Sequence, residues 1–135
     1  MRVSTKGRYG LRTMHYLAKN NSEKAIPLSK IASELKISDV YLEQILRRLR
    51  QADLVESVRG AYGGYKINKD PENISVGDVL RVLETHMSPT ECCESNTCED
   101  ESDCVARFIW KRIEVGINEI IDKITLQDMI ELSVE

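Results

Sequence analysis

Four cysteines lie within thirteen consecutive residues, and they are the side chains of this chain best suited to metal or redox chemistry. Cys92 and Cys93 are adjacent, and Cys98 and Cys104 follow in the spacing C-C-x4-C-x5-C. Thiolates are soft ligands that suit iron–sulfur clusters, and the sequence lacks the short C-x2-C and H-x3-H pairs typical of structural zinc sites. The spacing favours an iron–sulfur cluster, with a zinc site or a metal-free thiol switch as the alternatives.

Carboxylates surround these cysteines, and residues 85–104 are named here the cysteine segment. The acidic side chains in it are Glu91, Glu94, Glu99, Asp100, Glu101 and Asp103. Their negative charge disfavours free thiolates, whereas a bound metal cluster would offset it. A solvated segment of this kind would leave a cluster accessible to oxygen, nitric oxide or cluster-assembly scaffold proteins, as a sensor requires.

Residues 38–51, named here the reading helix, form the second pattern that could do chemistry. Leucine and isoleucine recur at i, i+3, i+4 and i+7 from Leu42 to Leu49, which predicts an amphipathic helix capped by Ser38. The opposite face carries Glu43, Gln44 and Arg47. Arginine suits phosphate oxygens and guanine edges, glutamate can accept from cytosine, and glutamine can pair with adenine. The helix is therefore either a nucleic-acid reader or an ordinary basic surface helix.

The elements on both sides of the reading helix favour the first interpretation. Residues 27–35 predict a short helix that joins it through a tight turn, which makes a helix-turn-helix. Residues 54–58 and 65–67 alternate like strands, with Arg59 and Gly60 in the glycine-rich connection between them. An arginine at such a tip suits a narrow, negative minor groove. Helix, turn, helix and wing together predict binding to double-stranded DNA.

The charge of the chain is divided between its two halves. The net charge of −3 argues weakly against nucleic acid. However, residues 1–66 contain 13 Lys and Arg against 6 Asp and Glu, a balance of +7, and residues 67–135 contain 6 against 16, a balance of −10. The first half has the positive charge expected of a phosphate-binding surface.

The remaining elements predict a mainly α fold with a small β-wing. A first helix over 6–20 is expected to bury Tyr9, Met14, Leu17 and Ala18, and a helix over 75–84 follows the wing. The expected domains are a winged helix-turn-helix over 1–84, the cysteine segment as a cluster-binding loop over 85–104, and a dimerisation helix with a C-terminal tail over 105–135.

The long helix predicted over 105–124 points to a homodimer. About twenty helical residues span roughly 30 Å, and the apolar positions are too many for a small winged helix to cover alone. Packing on a second copy is the favoured interpretation, with intramolecular packing as the alternative. A two-fold dimer also suits a protein that binds the two halves of a palindromic operator. Thr125 is expected to cap a last short helix that reaches Leu132.

Other classes of protein fit the sequence less well. The first residues do not form a signal peptide, and no apolar run approaches the roughly 18 residues that cross a membrane, so a cytoplasmic protein without membrane contact is expected. We find no Ser/His/Asp set, phosphate-binding glycine loop or zinc protease motif, and expect no catalytic residues. His15 and His86 are interpreted as structural or surface residues.

These motifs together resemble the IscR-type iron–sulfur regulators of the Rrf2 family, which are dimeric winged-helix repressors. The resemblance covers nearly the whole chain and rests on STKGRY (4–9), IS (37–38), YLEQ (41–44), LVESVRG (54–60), GGY (63–65) and three cysteines. It implies that Ser38, Tyr41, Glu43 and Gln44 contact the major groove and that Arg59 and Gly60 enter the minor groove. It also implies that Cys92, Cys98 and Cys104 are cluster ligands.

The chain departs from this family pattern at the fourth cluster ligand. Where IscR-like proteins commonly have a histidine after the last cysteine, this chain has Arg107, and where relatives that sense nitric oxide have an aspartate in the first helix it has Arg8. Cys93 is the first candidate for the open position, and His86, His15 or a carboxylate of the cysteine segment is a weaker one. The cluster type, [2Fe–2S] or [4Fe–4S], does not follow from the sequence.

The resulting prediction is a homodimeric DNA-binding transcriptional repressor that senses iron–sulfur or redox status through a cysteine-ligated cluster. One alternative is a cluster-free regulator of sulfur or cysteine metabolism that uses thiols or zinc with the same DNA-binding fold. Another is a cluster carrier whose winged helix makes only protein contacts, and this would show no salt-dependent binding to an operator.

Overall fold

The computed structural model describes residues 2–90 and 104–132, and the predicted mainly α fold with a β-wing is confirmed in it. The helices are α1 (Thr5–Lys19), α2 (Leu28–Leu35), α3 (Asp39–Gln51), α4 (Val76–Leu83), α5 (Val105–Lys123) and α6 (Leu126–Leu132). The strands are β1 (Val55–Val58) and β2 (Gly64–Ile67), and a single 3-10 turn (Pro71–Asn73) leads from β2 to α4. In the described part of the chain, no helix is long and apolar enough to cross a membrane.

Serine side chains define the starts of three helices. The hydroxyl of Ser4 accepts from the Gly7 amide at 3.1 Å, and that of Ser38 accepts from the Tyr41 amide at 3.1 Å. Ser75 forms a reciprocal capping box with Asp78, with both bonds at 2.9 Å. Each cap satisfies amide hydrogens that a helix start leaves without a partner. The prediction that Ser38 caps the reading helix is thereby confirmed.

The core lies between the first four helices and the base of the wing, and α6 closes it. Fully buried members of this core are Met14, Ile31, Leu42, Ile45, Leu46, Leu49, Ile74, Val79 and Leu126. Leu126 belongs to α6, which packs on α1 and so returns the end of the described chain to the first domain. The prediction that Tyr9 is buried is wrong: it is half-buried and packs at the edge of the core.

The wing is an antiparallel pair that is also bonded to the segment before α2. Val55 pairs with Ile67, and Val58 pairs with Gly64 at the turn end. Gly64 has φ +150°, and the Ile26 carbonyl lies against it where any side chain would stand. Ile26 and Tyr65 exchange backbone hydrogen bonds of 2.9 and 2.8 Å. The wing is therefore attached to the helix-turn-helix by backbone bonds in addition to its own sequence connection.

The long helix α5 has a different environment from the others. Its predicted bounds are confirmed to within one residue, but none of its residues is buried within the described chain. Six large apolar side chains are exposed on it: Val105, Phe108, Ile109, Ile113, Val115 and Ile120. Within the described residues, intramolecular packing of α5 therefore leaves these six side chains exposed to water.

The end of α5 is joined firmly to α4 and α6. The Arg81 guanidinium of α4 donates to both carboxylate oxygens of Asp122, at 2.6 and 2.9 Å, and to the side-chain oxygen of Asn118 at 2.9 Å. This group of three is named here the clasp. Close by, the Val76 amide donates to the Ile124 carbonyl at 2.7 Å. Thr125 caps α6 through Asp128, as predicted, with bonds of 2.9 and 3.1 Å.

Candidate nucleic-acid interface

The reading helix α3 presents one polar face outward. Its four apolar residues between Leu42 and Leu49 are fully buried, which fixes how the helix is rotated about its axis. Glu43, Gln44 and Arg47 are exposed on the opposite side, and Ser38 is exposed at the start of the helix. Three of the residues proposed to contact DNA are thus brought together along one helix face, and Ser38 lies at the start of the helix.

Tyr41 lies on this helix in a different setting. It is half-buried, and its ring packs edge-on against Tyr9 of α1, with the ring centroids 6.0 Å apart and an interplanar angle of 68°. The Arg12 guanidinium lies 5.2 Å from the centroid of the Tyr9 ring on the same helix, α1. Edge-to-face pairs and cation–π contacts of this kind each stabilise by about 0.5–1.5 kcal/mol. They hold the Tyr41 ring at the start of the reading helix.

The tip of the wing exposes both of its proposed DNA-binding residues. Arg59 and Gly60 are exposed, and Gly60 has φ +111°, a conformation that a residue with a side chain rarely adopts. The Gly63 amide donates to the Gly60 carbonyl at 3.0 Å and closes the turn. Tyr62 is almost completely exposed beside them. The backbone is thus shaped to carry Arg59 outward at the end of the hairpin.

The wing and the reading helix are linked as one unit. The Arg50 guanidinium in the last turn of α3 donates to the Ser57 hydroxyl of β1 at 3.3 Å. Arg47 and Arg59 form no ion pair within residues 2–90 and 104–132, so their charges are available for phosphate or base edges. The helix and the wing tip therefore form one basic surface with two projections.

Three of the four cysteines, Cys92, Cys93 and Cys98, lie outside the described residues. Cys104 is described: it is half-buried, has a free thiol, and occupies the position before α5 without capping it through its side chain. Cysteine sulfur is a soft ligand of the kind that holds iron–sulfur clusters. Its donor chemistry therefore fits an iron–sulfur cluster. Among the described residues, no group of three or more His, Cys, Asp or Glu could hold a metal.

The other candidates for the open ligand position are dispersed. His15 is half-buried within α1, and burial together with the nearby Lys19 lowers its pKa, so that the imidazole is neutral at pH 7. His86 is exposed two residues after Glu84, close in sequence to the cysteines. Arg107, which stands where IscR-like proteins commonly have a histidine, lies in the first turn of α5. Its amide donates to the Cys104 carbonyl at 3.2 Å.

Glu84, which directly precedes the cysteine segment, and the far end of α5, which follows the segment, are both attached to the DNA-binding domain. The sequence did not indicate either attachment. At the first end, Glu84 accepts hydrogen bonds from the amide and the hydroxyl of Ser4, at 2.9 and 2.8 Å. After the segment the chain enters α5, and the clasp joins the far end of this helix to α4. These partners are 37 to 80 residues apart in the chain, so no local pattern could reveal them.

Comparisons with known proteins agree with this architecture. The sequence model of the Rrf2 family, described as iron-dependent transcriptional regulator, matches residues 3–132. The regulator CymR of Bacillus subtilis is 43% identical over 129 residues, which cover 96% of this chain and 89% of CymR. The regulator IscR of Sodalis glossinidius is 35% identical over 130 residues, which cover 96% of this chain and 79% of IscR.

Solved structures of CymR and IscR proteins also resemble this chain over nearly its full length. The structure of CymR, the global cysteine regulator of B. subtilis, superposes with a TM-score of 0.85 at 43% identity and covers 98% of each chain. T. potens IscR superposes with a TM-score of 0.81 at 39% identity, covering 98% of this chain and 88% of its own. The chain therefore belongs to the Rrf2 family and is a DNA-binding transcriptional regulator of the helix-turn-helix type.

Proposed function

We propose that this regulator is a homodimeric repressor that binds a palindromic operator and senses iron–sulfur status through a cluster on its cysteine segment. The observation that carries the proposal is the position of Cys104. This residue directly precedes α5, whose apolar side chains are exposed and whose far end is joined to the DNA-binding domain. One helix thus connects a metal-binding side chain, a surface suited to a second subunit, and the reader.

The exposed apolar face of α5 supports the homodimer. Phe108 is 76% exposed, and five more large aliphatic side chains of the helix are exposed with it. Contiguous apolar surface on a helix of this length is typical of a protein–protein interface. A second copy of the same helix would cover it in a two-fold arrangement and would set two reading helices at a fixed separation.

The reading helix and the wing support operator binding in two grooves. Glu43 and Gln44, with Arg47 one turn further along the helix, are available to base edges in the major groove. Arg59 and Gly60 project from the wing toward the adjacent minor groove. Each subunit would then contact one half-site, and the two-fold axis of the dimer would pass through the centre of the palindrome.

Cys92, Cys98 and Cys104 are the proposed cluster ligands, with Cys93 as the candidate for the fourth position. A bound cluster supplies a group that gains or loses electrons and is destroyed by oxidants. The chain transmits its presence through two attachments. Glu84 fixes one end of the cysteine segment to the start of α1, and the clasp fixes α5 to α4. Binding of a cluster to the segment would therefore change how the two reading domains are held, provided that it favours one arrangement of them.

A second function is favoured by one specific observation, the 43% identity to CymR, which is described as the global cysteine regulator of B. subtilis. In that case the chain would regulate cysteine or sulfur metabolism with thiols or zinc in place of a cluster. The DNA-binding surface would be the same, and only the content and chemistry of the cysteine segment would differ.

Anaerobic purification separates the two functions. We expect a brown protein with equal iron and sulfide per subunit, whose absorption is bleached by air. Cys104→Ser and Cys98→Ser are expected to lower the iron content severalfold, whereas Ser95→Ala, a matched change within the cysteine segment, leaves it unaltered. A colourless protein that takes up no iron after reconstitution would overturn the iron–sulfur proposal. Zinc and disulfide analysis would then test the second function.

Operator binding is tested independently of the cluster. Selection from a random pool of double-stranded DNA is expected to yield a palindromic site whose affinity falls steeply with salt concentration. Failure to enrich any sequence, together with the absence of salt-dependent binding, would contradict the operator proposal for either sensor chemistry.

A further inference from the structure

The outward face of the reading helix contains one exposed aliphatic side chain. Val40 is 68% exposed, whereas the leucines and isoleucines of the same helix are fully buried. Glu43, Gln44 and Arg47 are exposed at i+3, i+4 and i+7 from Val40, so that the four side chains lie on one face. Val40 is therefore in line with the residues proposed to read bases.

Neither the fold nor the stability of the helix explains a valine at this position. A β-branched residue is a weaker helix former than alanine or a straight-chain residue, and at 68% exposure it contributes little packing. Single exposed aliphatic residues are common on protein surfaces. The informative feature is the position: Val40 lies in the first turn after Ser38, and the N-terminal residues of the second helix of a helix-turn-helix enter the major groove.

The major groove offers one apolar group to such a side chain. Thymine presents its 5-methyl group there, whereas the other bases present hydrogen-bond donors and acceptors. We propose that Val40 is a specificity residue that packs on the methyl group of an operator thymine. This inference rests on the proposed operator binding and deepens it. The residue acts beside Glu43 and Gln44 and adds an apolar contact to their polar ones.

The spacing along the helix locates the thymine. Three residues separate Val40 from Glu43, which corresponds to about 4.5 Å along the helix axis. Successive bases on one strand are about 3.4 Å apart. The thymine therefore lies within about two base steps of the base that Glu43 contacts.

The first turn of the reading helix is held in place before DNA binds. The Ser38 hydroxyl accepts from the Tyr41 amide at 3.1 Å, and the Tyr41 ring packs on Tyr9. The side chain of valine has one strongly preferred rotamer in a helix. Little conformational entropy is therefore lost when Val40 meets a methyl group, which is the condition for a small contact to give measurable discrimination.

Deoxyuridine provides the test because it differs from thymidine only by the absence of the 5-methyl group. The operator selected by the full-length wild-type protein is synthesised with each thymine replaced singly by uracil, and dissociation constants are measured by fluorescence anisotropy. For one thymine in each half-site, we expect uracil to weaken wild-type binding roughly threefold to tenfold. Val40→Ala is expected to bind the two operators equally.

Val58→Ala is the matched control. It removes the same atoms from another exposed valine, 42% exposed on β1 near the wing tip. This variant should keep the preference of the wild-type protein for thymine over uracil, whatever its affinity. The inference is overturned if no thymine shows a methyl effect in the wild-type protein, or if Val40→Ala retains that effect. Absence of binding to any selected DNA would instead overturn the operator proposal on which the inference rests.

Discussion

The reading helix α3 and the long helix α5 have similar sequence patterns, yet the structure uses their apolar faces in opposite ways. In α3 the apolar face is fully buried in the core and the polar face is exposed. In α5 the polar side holds the contacts to the first domain through Asn118 and Asp122, while the large apolar side chains are exposed. An amphipathic pattern therefore predicts the helix but not which face its own chain covers.

The difference between the two helices indicates what each one contacts. The exposed face of α3 is polar and basic, which suits the edges and phosphates of DNA. The exposed face of α5 is apolar, which suits a protein surface of the same kind. The predictions that follow alter one helix or the connection between them, beginning with the largest expected effect.

Phe108→Glu places a charge on the exposed apolar face of α5. We expect the dimer to dissociate at micromolar concentration, and operator affinity to fall at least about a hundredfold, because the two half-sites are then bound by separate molecules. Sedimentation velocity and anisotropy measure the two effects. Lys69→Glu, which introduces the same residue at an exposed position outside α5, should remain dimeric. A stable dimer of Phe108→Glu with wild-type affinity would contradict the proposed role of α5.

Arg59→Ala removes the charge at the tip of the wing. Loss of one arginine contact to DNA costs about 1–3 kcal/mol, so affinity for the operator should fall roughly fivefold to 150-fold. The slope of log affinity against log salt should also decrease by about one if the lost contact is to phosphate. Lys69→Ala, an exposed lysine beyond the end of β2, is the control and should leave the slope unchanged. Equal slopes for Arg59→Ala and the wild-type protein would argue against a phosphate contact at the wing.

Glu43→Ala tests base reading by the outward face of α3 itself. A carboxylate that faces guanine or thymine in the major groove meets no hydrogen-bond donor and loses binding energy, so its removal should relax specificity more than it lowers affinity. Operator selection with this variant is expected to yield a more degenerate position in each half-site. Unchanged operator preferences would show that Glu43 does not read a base.

Asp122→Asn weakens the clasp that connects the two helices through α4. Without a fixed angle between α5 and the reader, the protein should distinguish half-site spacings less well. Insertion of one base pair between the half-sites should therefore lower the affinity of Asp122→Asn severalfold less than it lowers the affinity of the wild-type protein. Glu119→Gln neutralises an exposed carboxylate on the same helix and is the control. Retention of the full spacing preference in Asp122→Asn would show that the clasp does not position the reader.

The pH dependence of the clasp has a defined sign. The hydrogen bond from Arg81 lowers the pKa of Asp122 below its usual value of 3.8. A carboxyl group whose pKa is lower in the folded state stabilises that state above its ordinary pKa, and the contribution is lost as pH falls through the lowered value. The clasp should therefore be intact throughout neutral pH and weaken only below about pH 4. Acid unfolding of Asp122→Asn should lack this component.

The smallest expected effect compares two serine caps. Ser38→Ala and Ser75→Ala each remove a hydroxyl that accepts from a helix amide, and each should lower the free energy of unfolding by about 1 kcal/mol. Only Ser38 lies on the reading helix, so only Ser38→Ala should also weaken operator binding. Thermal unfolding and anisotropy on the same samples provide both numbers. Equal operator affinities for the two variants would remove Ser38 from the interface.

Features with a local pattern could be predicted from the sequence. The periodicity of α3, its serine cap, the strands of the wing and the bounds of α5 all follow from residues within one or two turns of each other. The half-buried position of Tyr9 could not, because it depends on Tyr41 packing against it from another helix. The clasp and the bond between Ser4 and Glu84 join residues far apart in the chain, and a charged residue carries no sequence signal for its distant partner.

The candidate site likewise has some features that the sequence predicts and others that it does not. The exposure of Glu43, Gln44 and Arg47 follows from the buried stripe on the opposite side of the helix, so the sequence predicts it. Val40 lies off that stripe by the same count, but its exposed fraction of 68% depends on how the neighbouring elements pack and could not be read from the sequence. Assignment of Cys92, Cys93 and Cys98 to a cluster stays a prediction, since these residues lie outside the described ranges.

The central claim is that the state of the cysteine segment controls the reader through α5 and the two attachments at Glu84 and Arg81. The most direct test measures operator affinity for one anaerobic preparation before and after its cluster is removed by a chelator and an oxidant. We predict that the two forms differ at least about tenfold in affinity for the selected operator, or prefer different operators. Identical affinity and identical sequence preference, in a preparation shown to have lost its iron, would contradict the claim.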